Sequence, residues 1–528
     1  MSNRKDCVRK RAALVAGAAI YALLFALGSQ IDHSGVARLD ATLVRIALAF
    51  PAALGVLYAL FRWVLPKTEF TPDIRPLKPF CVPAAALLLF VCYMPMFLIW
   101  YPGTFQYDSM KQVQQIAGSA YDAFHPLLHT LLIRFCLSFY DVFWSMEQCG
   151  ALYSVMQMLF VSLCFSLACA SVSRSVSRRA AWAALAYFAL YPLHMAYASS
   201  CTKDVLFSAS FVLFVSLCTE EIHLGKLGRP QRLQQVVCGV VACLMRNNMI
   251  YAMIVWVMVL LLCRKPFRRL LYWGLIVIVL SRGCHTGLMK WLDAEDGEMV
   301  EMLSVPLQQL ARARLYQPEA FTPQEQALMD EVLCHDRTKE PLYPGYDPTI
   351  SDPVKNDLDD GLVKERLPEL AALWADVGGR CPGVYLDAFL NLALPSIYPY
   401  SEYRVSHRYV EMGGDRSLTS PFGLGPMTRP QRFAQIRAWL DEQLFLTGAD
   451  HIPVLRYAFN TGFIYWLLLL FVLFDVYCGR WKRVMILMLP VFLWGTYLLG
   501  PVMQGRYLYP FVCCLPLFAM RLRDESRI

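Results

Sequence analysis

Charge is scarce in this chain of 528 residues: Asp, Glu, Lys and Arg make up 17% of it, while 57% is hydrophobic. So little charge excludes a disordered polymer and argues against a string of ordinary soluble domains. Cys-x-x-Cys pairs are absent, so the 18 cysteines carry no zinc or dithiol signature and read as small apolar residues scattered through hydrophobic runs. Also missing are a P-loop and the glycine pattern of dinucleotide-binding folds, which argues against ATP-driven transport and nucleotide-sugar chemistry. The basic residues are dispersed, and nothing points to nucleic acid.

Long apolar runs are what the chain has in abundance. Stretches of roughly 17 to 25 residues cross ~30 Å of hydrocarbon at about 1.5 Å per residue. Such runs fall near 12–29, 42–61, 79–100, 149–171, 180–199, 204–219, 235–263, 270–287, 457–478, 484–500 and 507–520. The run 235–263 is too long for one untilted span and is interrupted at its centre by Arg246, Asn247 and Asn248. A charge at mid-bilayer costs roughly 2.5 to 3.5 kcal/mol on insertion scales, so a hairpin of two short helices with a water-facing vertex is expected. The expected fold class is an all-α integral membrane protein of about 12 membrane helices, with outer juxtamembrane helices and one mainly helical outer domain. Its blocks are residues 1–78, two N-terminal membrane helices; 79–290, a membrane core with a first outer loop at 101–148; 291–455, an acidic outer domain; and 456–528, C-terminal membrane helices.

Residues 291–455 hold 26 acidic and 14 basic side chains, a balance of −12 that leaves +20 for the rest of a chain whose net charge is +8. Outside that block, Lys and Arg recur in alternate loops: Arg4, Lys5, Arg9, Lys10 and Arg11; Arg62, Lys67, Arg75 and Lys78; Arg174, Arg178 and Arg179; Lys226, Arg229 and Arg232; Arg264, Lys265, Arg268 and Arg269; then Arg480, Lys482, Arg483, Arg521, Arg523 and Arg527. Basic loops of this kind face the cytoplasm, which puts both termini inside and residues 291–455 outside a plasma membrane. No small-residue cleavage site follows Gln30, so the first apolar run is expected to be retained as a span. Cys334 and Cys381 share the outer block, and a disulfide between them stays open.

Unusual polar residues converge on the outer side. Tyr101-Pro102-Gly103-Thr104-Phe105-Gln106-Tyr107-Asp108-Ser109 leaves the membrane, and His125-Pro126-Leu127-Leu128-His129 opens a helix with Pro126 at its first turn. Residues 127–143 are apolar but short and contain Arg134, so they are expected to lie along the interface. The next outer turn brings His194 and then Lys203 and Asp204; the hairpin vertex brings Arg246 and Asn247; the turn before the last span brings Gln504, Arg506, Tyr507 and Tyr509. A carboxylate among several fixed cations beside a membrane suits a phosphorylated lipid: the cations hold the phosphate, and the carboxylate takes a proton or binds a metal. Plainer readings exist. Asp108 can cap a helix, His125 can serve a turn, Lys203 and Asp204 can pair locally, and Arg506 can anchor a span. Arg246, in the middle of an apolar run, is hardest to explain that way. His125 and His129, four apart, can share a helix face as metal ligands.

In order, Asp108, His125-Pro126, Lys203-Asp204, Arg246 and the late Arg506, Tyr507 and Pro510 resemble the GT-C superfamily of membrane glycosyltransferases, which take sugars from polyprenyl phosphates. They resemble still more an uncharacterised bacterial multi-spanning family of that type. The resemblance runs from about residue 80 to the C-terminus and skips much of the acidic block. It implies inverting transfer of a sugar from a polyprenyl-phosphate donor to a glycan, lipid or protein acceptor on the outer face of a bacterial plasma membrane. Asp108 would be the catalytic base, and His125, Lys203, Asp204, Arg246, Asn247, Arg506 and Tyr507 would bind substrate. Many members of the superfamily carry a second acid where Ser109 stands, so a divalent metal is left open. The rivals are a transporter or flippase for lipid-linked glycans or anions, and a polysaccharide polymerase or ligase. One broken hairpin without internal duplication favours an enzyme over a transporter.

Within the acidic block, residues 304–312 read as an amphipathic helix, Thr322 and Glu325 as a capping box, 341–353 as turns and 362–377 as a helix. Tyr385, Phe389, Tyr398, Tyr400 and Tyr403 either stack on a sugar or sit at the lipid interface.

Overall fold

The computed structural model describes residues 2–70, 80–105, 107–143, 145–263, 265–297, 299–401, 429–445 and 451–520. Arg75, Lys78, Gln106, Arg264, Tyr403, Arg521, Arg523 and Arg527 lie outside the described residues, as do the side chains of Tyr107 and Lys265. The regular structure is helical, apart from isolated bridges and a two-residue parallel pairing of Thr104–Phe105 with Ser200–Cys201.

Among the described residues seven helices are long and apolar enough to cross a membrane: Arg4–Ser34, Leu39–Thr68, Val82–Ile99, Met146–Ser175, Lys203–Leu224, Arg268–Leu292 and Thr461–Cys478. The expectation of about 12 spans is therefore not met. The remaining apolar runs form helices of 13 residues (Arg178–Leu190), 17 (Arg229–Met245), 16 (Asn248–Cys263), 17 (Trp481–Tyr497) and 11 (Tyr509–Ala519). At about 1.5 Å per residue these reach roughly 16 to 26 Å, short of ~30 Å of hydrocarbon. The cause is punctuation that hydropathy counts through. Pro192 opens a separate helix, Pro192–Ala198, and the last run begins in a tight turn at Gly505–Leu508.

The break at Arg246 is as expected. Arg246 leaves the helix in an extended conformation, φ −150° and ψ 115°. The two arms then lie side by side against one stretch of Arg268–Leu292: a Cβ at Gly239 would lie 2.9 Å from Val277, and one at Gly274 would lie 2.9 Å from Val257. Leu127–Leu137, in the first outer loop, has 11 residues, too few to cross, and packs against Met146–Ser175.

The basic helix ends meet one another at one end of the bundle. Arg9 donates to the Tyr477 carbonyl, Arg480 pairs with Glu69 at 2.6 Å, Arg174 pairs with buried Glu220 at 2.6 Å, and Arg483 bonds Asp475 and the carbonyls of Leu517, Phe518 and Met520. That last set satisfies carbonyls that a helix end would otherwise leave unpaired.

At the other end, residues 300–385 build a small core of their own around Leu307, Leu310, Met329, Leu370 and Val377. The Thr322–Glu325 capping box forms, and the expected helix over 362–377 is divided into Asp360–Glu365 and Leu367–Arg380, with Pro368 opening the second piece. The helix expected from residue 304 forms as Ser304–Tyr316, but it is buried along most of its length and not on one face alone. Cys334 and Cys381 are free thiols, donating to the carbonyls of Glu331 and Val377. Tyr385 packs on Trp374 inside the small core, and Tyr398 packs against Phe25, so neither is a sugar platform. Pro382–Ile397 joins the outer block to the bundle: Asp387 accepts from the Ala37 amide at 2.8 Å and Asn391 donates to the Gly35 carbonyl at 2.8 Å.

Candidate functional site

The parallel pairing sets the segment before Asp108 beside the segment before Lys203, with Thr104 N donating to Ser199 O at 3.1 Å. Gly103 makes the approach possible. Its φ is +121°, and a Cβ there would collide with Ser154 and come within 2.8 Å of the Ser199 carbonyl oxygen. Thr202 then caps Lys203–Leu224 by accepting from the Asp204 amide, so residues 203 and 204 emerge in the first turn pointing to different partners.

Lys203 and Asp204 do not pair with each other in the structure. Lys203 Nζ donates to Asp108 Oδ2 at 2.7 Å, and Arg506 Nη1 donates to the same oxygen at 2.8 Å. Asp204 is fully buried, ion-paired with Arg246 and 3.8 Å from Arg506 Nε. Arg246 lies over the rings of Tyr497 and Tyr507, 4.5 and 4.3 Å from their centres. A buried cation with a carboxylate and two aromatic faces is well matched. Asn247 donates to the Ala123 carbonyl at 3.3 Å and so ties the hairpin vertex to the first outer loop. Arg506 is positioned from outside as well: Ser351 donates its amide to Pro501 O at 2.9 Å, fixing the outer block against the turn that carries Arg506.

Burial works to raise the Asp108 pKa, but the charges of Arg506 and Lys203 and the Lys203 hydrogen bond hold it well below the usual carboxylate range. His125 behaves oppositely. Burial, reinforced by Lys203, pushes its pKa down to about 3, against the opposing pull of Asp108. Lys203 Nζ sits 3.3 Å from His125 Nδ1. An ammonium can only donate, so Nδ1 carries the lone pair and the neutral ring keeps its proton on Nε2. That Nε2 is buried and has no partner among the described residues. An unmatched buried donor costs about 1–3 kcal/mol, which an oxygen of a bound ligand would offset.

The family model described as a family of unknown function, DUF6020, matches residues 118–528. The chain belongs to that family. No curated protein and no solved structure matches it. The DUF6020 region includes His125, Lys203, Asp204, Arg246, Asn247, Arg506 and Tyr507, and Asp108 lies just N-terminal to it.

The site therefore gathers Asp108, His125, Lys203, Asp204, Arg246, Asn247, Arg506 and Tyr507, whereas His194 pairs instead with the Tyr509 hydroxyl at 3.1 Å. The pairing of His125 with His129 as metal ligands is corrected. Both ring nitrogens of His129 are engaged, Nδ1 with Gln112 Oε1 at 2.7 Å and Nε2 with the Tyr153 hydroxyl at 2.8 Å. No group of three or more His, Cys, Asp or Glu side chains able to hold a metal occurs among the described residues. The donor set does not suit a divalent ion either, because Lys203 and Arg506 already neutralise Asp108 and would repel one.

Sequence reasoning missed Tyr497 and the polar chain from Gln112 through His129 and Tyr153 to Gln157. Gln157 donates to the Tyr197, Ala198 and Ser200 carbonyls at 2.8 to 3.2 Å, which holds the strand that leads to Lys203. The signal was present: Tyr153 and Gln157 are four apart on one face of an otherwise apolar helix.

Proposed function

We propose that this chain is a membrane glycosyltransferase of the GT-C type, moving a sugar from a polyprenyl-phosphate donor to a glycan, lipid or protein acceptor on the outer face of a bacterial plasma membrane. The observation that carries this reading is the shared grip of Lys203 and Arg506 on one oxygen of Asp108. Among the described residues three cations face two carboxylates, and His125 is neutral, so these side chains keep one unit of positive charge for an anion.

In the ligand-free site Asp108 is too well stabilised as a carboxylate to be a strong base. A donor phosphate competes for the same two cations. As Lys203 and Arg506 turn to it, Asp108 loses its partners and its proton affinity rises toward what a general base needs. The acceptor oxygen then forms its bond to the sugar carbon opposite the phosphate, Asp108 takes the hydroxyl proton, and the phosphate leaves with the bonding electrons. The configuration inverts. Negative charge grows on the departing phosphate, so the cations favour the transition state over the ground state. His125 Nε2–H supplies a donor to a ligand oxygen, while the Arg246–Asp204 pair orients Arg506 and Tyr507.

In this reading the basic helix ends and both termini face the cytoplasm and residues 291–455 lie outside. Replacing Lys203 with Met or Arg506 with Leu is expected to weaken polyprenyl-phosphate binding at least about tenfold, the loss of a charge-assisted contact of roughly 1.5 kcal/mol or more. Unchanged affinity in both variants would remove the phosphate role.

A further inference from the structure

A second charged cavity lies at the opposite, basic end of the bundle. A cleft of about 670 Å³ opens between the end of Lys203–Leu224, the start of Arg268–Leu292 and the start of Trp481–Tyr497. Its lining carries Arg268, Arg269 and Lys482, all exposed, and one carboxylate, Glu221. Glu221 is buried and already answered by Arg232, which donates to it at 2.9 Å. Arg268, Arg269 and Lys482 form neither an ion pair nor a side-chain hydrogen bond among the described residues. Three cations thus face an open cavity with no counter-charge of their own among the described residues.

The walls are not those of a site for a small soluble anion. Phe267 and Leu270 form an apolar floor, and Ile222 adds to it. From Arg268 the same helix presents Tyr272, Leu275 and Val279 at steps of four, three and four residues, hence on one face, and all three are exposed. This helix is among those long and apolar enough to cross a membrane. A basic mouth therefore continues directly into an exposed apolar stripe.

We infer that the cleft holds the headgroup of an anionic phospholipid, its phosphate among Arg268, Arg269 and Lys482 and an acyl chain along Tyr272, Leu275 and Val279. The charge arithmetic selects the lipid class. An anionic headgroup meets uncompensated cations, whereas a zwitterionic one brings its own ammonium against them. This site is separate from the Asp108 cluster and does not depend on the glycosyltransferase reading.

The test is a native mass-spectrometry titration of the full chain in neutral detergent with phosphatidylglycerol and with phosphatidylcholine. One phosphatidylglycerol per chain is expected to bind in preference to phosphatidylcholine, and its affinity is expected to fall about 100-fold in R268Q/R269Q/K482Q, since each of the three cations near a membrane surface contributes about a factor of five. A control at the same end, R62Q/K67Q, is expected to bind as the wild type does. Equal losses in both variants, or none in the triple variant, overturn the site. Displacement of the lipid by millimolar inorganic phosphate overturns the lipid assignment in favour of a soluble anion. Should the triple variant fail to fold, Lys482→Glu alone carries the test, because Lys482 is exposed at the first turn of its helix; a folded K482E with wild-type affinity overturns the inference.

Discussion

Replacing Asp108 with Asn separates two consequences that usually travel together, because it is expected to weaken the fold while strengthening ligand binding. Lys203 Nζ and Arg506 Nη1 lie 2.7 and 2.8 Å from Asp108 Oδ2. With charge centres about 4 Å apart and an effective dielectric near 20, each pair is worth roughly 4 kcal/mol gross. Removing one partner of a buried pair costs about 3–5 kcal/mol net. The three side chains here keep 14 to 16% exposure, and an Asn oxygen still accepts one bond. The expected net loss is therefore smaller, about 2–3 kcal/mol. Binding moves the other way. The variant site carries two units of positive charge, and the internal anion that competed with phosphate is gone. Polyprenyl phosphate is expected to bind at least about tenfold more tightly, or about 1.4 kcal/mol. Denaturant unfolding measures the first quantity and a lipid titration on the folded variant measures the second. A D108N protein that binds polyprenyl phosphate more weakly than the wild type refutes the competition between carboxylate and phosphate.

Three further outcomes follow from named contacts. With its pKa pushed down to about 3, His125 stays neutral in the folded state as pH falls, while the unfolded His takes a proton near about 6.5. The unfolded state then binds more protons, so stability is lost as pH drops from about 6.5 toward the folded value. His125→Gln is expected to reduce the slope of stability between about pH 6 and 5 by up to roughly 1.4 kcal/mol per unit, and identical slopes in denaturant titrations would show that His125 is not held neutral. Gly103→Ala forces a side chain onto a φ of +121° and into Ser154; a loss of roughly 1–3 kcal/mol from the backbone conformation alone is expected in the same unfolding assay, with donor binding reduced as well. Arg246→Met leaves Asp204 buried without its partner and is expected to cost about 3–5 kcal/mol, whereas R246M/D204L recovers much of that stability; equal losses in the single and double variants contradict the pairing.

The candidate site was legible because polar residues inside apolar sequence are costly, and each one placed there has to find a partner. Arg246 announced the hairpin for that reason. The same logic located Lys203, Asp204 and Arg506, but their pairing was not readable. Lys203 and Asp204 are neighbours in the chain, yet a helix first turn capped by Thr202 sends one to Asp108 and the other to Arg246. The number of spans was overstated for a related reason. Hydropathy sums through Pro192 and through the turn at Gly505–Leu508, where backbone geometry ends a helix without changing the average. The role of His129 stayed open in the sequence because spacing alone cannot distinguish a metal ligand from a histidine whose two nitrogens are taken by Gln112 and Tyr153. The outer aromatics failed similarly: Tyr385 and Tyr398 are packing residues, and only burial reveals it.

Sugar transfer that depends on Asp108 is the most direct test of the site. Purified protein in lipid nanodiscs, given polyprenyl phosphate carrying a radiolabelled hexose and a panel of hydroxyl-bearing glycan, lipid and protein acceptors, is expected to release the sugar onto an acceptor with inverted configuration. D108N is expected to bind the same donor and transfer nothing. A wild-type protein that binds the donor and leaves it intact with every acceptor, or a D108N protein that transfers at the wild-type rate, contradicts the account.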